Sequence, residues 1–102
     1  MRFLVKATIP VEAGNTLIRD PKFSKRMEDI IQDIKPEAVY FAVEGGQRTI
    51  YFIKKLPDSS GIPAIVEPLF LALKANVELI PVMSEKEFSK AGSQIERAAK
   101  KY

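Results

Sequence analysis

Residues 37–55 read EAVYFAVEGGQRTIYFIKK, two apolar runs joined by Gly45-Gly46. A Gly-Gly pair accepts positive φ at both central positions, which a two-residue hairpin turn requires. With Glu44 and Gln47 flanking the turn, the register follows. Val43 lies opposite Arg48, Phe41 opposite Ile50, and Val39 opposite Phe52 on one face. On the other, Ala42 meets Thr49, Tyr40 meets Tyr51, and Ala38 meets Ile53. The first face is almost wholly aliphatic and Phe, while the second is mixed and carries two tyrosines. Such a sheet is expected to bury its first face under helices, so the role of the second becomes the functional question.

Outward from the hairpin, residues 2–9 alternate as a first strand, with Phe3, Val5, Ala7 and Ile9 on one side and Arg2, Leu4, Lys6 and Thr8 on the other. Residues 11–35 read as helix in two parts. A loose stripe of Val11, Leu17 and Ile18 is weakened by Gly14. A stronger stripe of Phe23, Met27, Ile30, Ile31 and Ile34 starts after an Asp20 N-cap and Pro21, and stops before Pro36. Glu28, Asp29, Asp33, Lys22, Lys25 and Arg26 make the solvated side of that helix. Residues 57–61, PDSSG, read as a turn. Pro68 interrupts the apolar stripe that begins at Ile62, and the reading adopted is a short turn followed by a helix from about Pro68 to Ala75. Residues 77–83 form a fourth strand, and Pro81 places it at an edge. Ser84 and Glu87 have capping-box spacing, so Ser84 opens a further helix with the narrow stripe Phe88, Ala91, Ile95, Ala98 and Tyr102. That helix is expected to lie across the body or onto a partner.

The order β-α-β-β-α-β-α predicts an α+β fold. It is the split βαβ, ferredoxin-like arrangement: a four-stranded antiparallel sheet in the order 4-1-3-2, helices on one face, and an extra C-terminal helix. The chain of 102 residues is read as one domain. At this size roughly 60–65% of the unfolded chain's surface is buried, so a partner surface would help. Apolar (46%) and charged (28%) residues stand in ordinary globular proportion. The chain has neither Cys nor His. That excludes disulfides, zinc held by Cys or His, and a histidine-ligated haem, so no metal and no cofactor is expected. The net charge of +3 is concentrated near the C-terminus, where Lys86, Lys90, Arg97, Lys100 and Lys101 outnumber Glu85, Glu87 and Glu96. A solvated helix face accounts for it. Neither a signal peptide nor a membrane span is legible, so a cytoplasmic protein without membrane attachment is expected.

The face left open would carry Leu4, Lys6, Thr8, Tyr40, Ala42, Thr49, Tyr51 and Ile53, with either Ile80 and Val82 or Leu79 and Met83 from the fourth strand. It is too apolar to leave in water, and patches of this kind mark interfaces or ligand grooves. Two copies can pair these faces about a two-fold axis. The first expectation is therefore a homodimer that holds a small apolar or aromatic molecule between its sheets, with Lys6, Tyr40, Thr49, Tyr51 and Glu67 as candidate ligand-binding residues. Lys6 against a dry surface could lose affinity for its proton and act as a base, and a tyrosine could donate a proton, so a small cofactor-free enzyme stays open. Against this, Lys6 can pair with Glu44 or Glu78 across strands, the tyrosines can serve as packing, and Glu67 can favour a helix start. RNA-recognition domains share the strand order and stack bases on open-face aromatics. QRTIYFIKK lacks their glycine-and-aromatic signature, however, and Leu4 and Lys6 stand where an aromatic would be.

Several stretches carry a resemblance: MRFLVKATIPVEAGN, KPEAVYF, the pair RT after the turn, IPAIVEPLFLALKANVEL and PVM before the last helix. Through them most of the chain resembles a group of short bacterial proteins of the dimeric α+β barrel superfamily. The resemblance implies a homodimer closed through the open faces. It brings no catalytic assignment, because that superfamily includes isomerases, monooxygenases, haem enzymes and plain ligand binders.

Overall fold

The computed structural model describes residues 1–102. Strand β1 (Arg2–Ile9) leads into helices α1 (Val11–Arg19) and α2 (Phe23–Ile34). The hairpin β2 (Ala38–Glu44) and β3 (Gln47–Lys55) follows, then α3 (Ile62–Leu73), β4 (Asn76–Val82), α4 (Glu85–Lys90) and α5 (Gly92–Lys101). The four strands form one antiparallel sheet ordered β2-β3-β1-β4, which is 4-1-3-2 read from the other edge. The hairpin pairs residue for residue as its turn requires, from Glu44↔Gln47 to Ala38↔Ile53. Gly45 and Gly46 hold φ of 59° and 76°, a left-handed geometry that costs a glycine nothing.

The two central strands supply the floor of the core. Val5, Ala7 and Ile9 of β1 and Ile50 and Phe52 of β3 are buried on one face. Leu17, Ile30, Ile34, Ile65, Leu69 and Leu73 descend on them from α1, α2 and α3. Each fully buried side chain of this size contributes roughly 1.5–3 kcal/mol of transfer free energy. That gain explains why α3 runs unbroken through Pro68. The sequence suggested a helix starting at that proline, but Ile65, Leu69 and Leu73 share one buried stripe, and their burial outweighs one missing backbone hydrogen bond. Pro63 sits in the first turn of α3, where its lack of an N–H is harmless.

Other expectations shift. Helix α2 begins at Phe23 rather than at Pro21, because the Asp20 carboxylate accepts the Lys22 N–H (2.9 Å) and the Asp20 carbonyl accepts the Phe23 N–H (3.0 Å), forming a turn before the helix. Ser84 and Glu87 do form a reciprocal capping box at α4. The helix then breaks at Ala91-Gly92, and every residue of α5 is exposed, so this helix does not lie across its own body. The projecting segment gives the molecule extents of 58 × 28 × 19 Å and a radius of gyration of 16.9 Å. A compact chain of this length would have a radius of about 13 Å.

The roof over the first face is also incomplete. Phe52 is fully buried, yet Phe41, on the same side of β2, is 67% exposed and Val43 78%. The helices cover β1 and β3 and stop short of β2. Phe52→Ala is therefore expected to destabilise the fold by about 3–5 kcal/mol, and Phe41→Ala by less than about 1 kcal/mol, in urea unfolding. Equal losses would mean that the helical layer reaches β2.

Candidate functional site

Helices α1, α2 and α3 lie on one side of the sheet, so the alternate side chains of all four strands face away from them. Leu4, Lys6 and Thr8 of β1 stand beside Ile53, Tyr51 and Thr49 of β3. Leu4 and Lys6 also stand beside Ile80 and Glu78 of β4, which selects Ile80 and Val82 over Leu79 and Met83 for this face. Tyr40 completes the row opposite Tyr51.

The centre of this face is a cross-strand triad. The Lys6 ammonium and the Tyr51 hydroxyl both donate to the carboxylate of Glu44. The hydrogen bond from Lys6 holds the Glu44 carboxyl below its usual range, and Tyr51 adds to this. The same bonds make Lys6 hold its proton more tightly than a free lysine, chiefly through Glu44. They also raise the Tyr51 phenol, again chiefly through Glu44. The sequence allowed a Lys6 with lowered proton affinity; the shift runs the other way, because the acid that neutralises it outweighs desolvation. A second cluster closes the end of the face. Arg2 pairs with Glu37, and its Nε lies 3.0 Å from a Glu87 oxygen of α4. The Ser84 backbone N–H, the Arg2 side chain and the Ser84 hydroxyl together lower Glu87 to about 2.

The five sequence candidates do not all meet. Lys6, Tyr40 and Tyr51 share the open face, and Tyr40 is 63% exposed. Thr49 shares it too, but is only 1% exposed, and its hydroxyl donates to the Gln47 carbonyl at 3.1 Å. Glu67 is exposed on α3, whose buried stripe packs on the opposite face, so it is remote from the others. Glu44, expected at the rim as a possible partner of Lys6, is the hub of the triad.

A second concavity was missed in the sequence. Where the helices stop short of β2, a groove of about 480 Å³ opens between the α1–α2 layer and the hairpin. Ile18, Phe23, Met27, Ile31, Phe41 and Ile50 make it largely apolar, and Arg48 is its one cation. Arg48 Nη2 donates to Asn15 Oδ1 at 3.1 Å, and Nη1 donates to the Val11 carbonyl at 3.5 Å. Buried Gly14 makes room for it: a Cβ there would fall 2.5 Å from Nη1. The signal was present in the register, since Arg48 stands opposite Val43 and next to the Phe41–Ile50 pair on the side that faces the helices.

No cluster of three or more Asp or Glu side chains is placed to hold a metal ion. Because Glu87 is depressed when folded, its contribution to stability is complete above pH 4.5 and is lost as pH falls toward 2. Glu87→Gln is expected to flatten the urea midpoint over that interval, and an unchanged slope would show that Glu87 is not held by Ser84 and Arg2. No protein-family profile, curated protein or solved structure matches the chain.

Proposed function

We propose that the protein works as a homodimer of the ferredoxin-like, dimeric α+β barrel kind, two copies pairing their open sheet faces around a small apolar or aromatic molecule. The observation that carries this reading is the self-neutralised triad at the centre of an unroofed face that also exposes Leu4, Ile53 and Ile80. Moving charges out of water is costly unless each is paired and hydrogen-bonded. Lys6, Glu44 and Tyr51 satisfy one another within one chain, so a partner sheet can cover Leu4, Ile53 and Ile80 without stranding a charge of the triad, while Glu78, which makes no ion pair, lies on the outermost strand β4. Helix α5 supports the same reading. Its Ile95, the Tyr102 that follows it and Phe88 of α4 are exposed apolar side chains, and α4 is tied to the open-face end of the sheet by Arg2 and Glu87. A copy seated on the open face would lie beside this helix.

The same groups weigh against the alternatives. Glu37, Glu44, Glu78 and Glu87 outnumber Arg2, Lys6 and Lys55 along this face and its end, which opposes a phosphate backbone. A lysine whose proton is held by a carboxylate is a poor base or Schiff-base former, so a cofactor-free isomerase or monooxygenase finds no activated group in the triad.

Sedimentation is expected to return twice the 11.4 kDa chain mass at micromolar concentration. Ile80→Lys or Tyr51→Arg should place an uncompensated charge in the joint and give folded monomers. A monomeric wild type, or dimers untouched by both substitutions, would sink this reading. Naphthalene added to the wild type should shift the NMR resonances of Tyr40 and Ile53 and leave them still in the Ile80→Lys monomer.

A further inference from the structure

The geometry points to a second binding site, built within one chain on the helical side of the sheet: the groove between α1–α2 and the hairpin takes a small monocarboxylate with an apolar body, its carboxylate on Arg48. The charge pattern carries this. Arg48 and Glu28 both line the groove, and neither makes an ion pair. The half-buried guanidinium spends one donor on the Asn15 amide oxygen and one on the Val11 carbonyl. These neutral acceptors fix its position and leave its charge and remaining donors uncompensated. An arginine held this way, with no acid of its own, is prepared for an incoming carboxylate.

The rest of the groove sets the ligand's body and its charge. Phe23, Met27, Ile31, Phe41 and Ile50 offer apolar walls, and about 480 Å³ lies within the range of small-molecule sites. Met and Phe suit an aryl or branched alkyl group. Glu28 on the α2 wall repels a second negative group, which favours a monoanion over a phosphate ester or a dicarboxylate. Gly14 is part of the site, because any larger residue there displaces the guanidinium. The site is independent of the joint between copies, so it should persist in the Ile80→Lys monomer.

The test is a titration of the full chain, by calorimetry and amide NMR, with phenylpropionate and with phenylpropanol, which share a body and differ in charge. The acid is expected to bind at least about tenfold more tightly, as a charge-assisted hydrogen bond to a guanidinium warrants. Its shifts should centre on Gly14, Met27, Phe41 and Arg48. Arg48→Gln should bring the ratio of the two affinities close to one while Arg48→Lys keeps part of it. Gly14→Ala should lower the ratio too in a chain that still folds, since alanine favours the helix. Acid and alcohol binding equally, a ratio unmoved by Arg48→Gln, or shifts confined to Tyr40 and Tyr51 would overturn the assignment. So would groove resonances that move with protein concentration alone, because a second copy would then be the occupant.

Discussion

The central pair β1–β3 buries Val5, Ala7, Ile50 and Phe52 against Leu69, Leu73 and Ile34, and the rest of the molecule adapts to that contact. Strand side chains alternate sides with a period of two, so committing these residues to the helices commits Leu4, Lys6, Thr49 and Tyr51 to the other side. The three helices span the two central strands and little more. Both outer strands then keep one or more unprotected surfaces, and both concavities of interest follow from that shortfall. One is the whole open face; the other is the gap where the roof ends before β2.

Much of this is legible in the sequence alone. The Gly-Gly turn set the hairpin register, and alternation in β1 and β3 separated the faces, because both signals are local. Boundaries that depend on packing were less legible. Pro68 was read as a start because its local cost is plain in the sequence, whereas the buried stripe that overrides it is a tertiary effect. The break at Gly92 was visible as a weakness, but the direction in which α5 departs was not. Phe41 and Phe52 look alike in an alternating pattern; only the width of the helical layer distinguishes the exposed one from the buried one.

The candidate site divides in the same way. Lys6, Tyr40 and Tyr51 share a face, as the alternation predicts, because strand pairing places them. Glu67 was grouped with them only through its position before a proline, and α3 carries it to the far side. Arg48 was overlooked although its position was known, since an arginine at a strand end usually lays its stem on the sheet and leaves its head in water. What makes it distinctive is non-local: Gly14, thirty-odd residues earlier, leaves the space that its guanidinium occupies. On the open face, charge is cancelled inside the chain by Glu44; in the groove, the charge of Arg48 is held in place by neutral oxygens and not cancelled. The first arrangement suits being covered by an identical surface. The second suits an anion.

Strand β2 has a further consequence. It is an outermost strand, so one row of its N–H and C=O groups has no ladder partner. Between Ala38 and Val43 it carries six consecutive uncharged residues, AVYFAV, of which Tyr40 to Val43 are all exposed. Short runs with strong strand preference, no charge and no proline are the segments through which soluble chains stack edge to edge into fibrillar aggregates. Glu37 and Glu44 bracket the run as acidic gatekeepers, and both are tied to cations, which blunts their repulsion. The strand that the helices leave uncovered is therefore also the edge through which this protein is most open to stacking in concentrated solution.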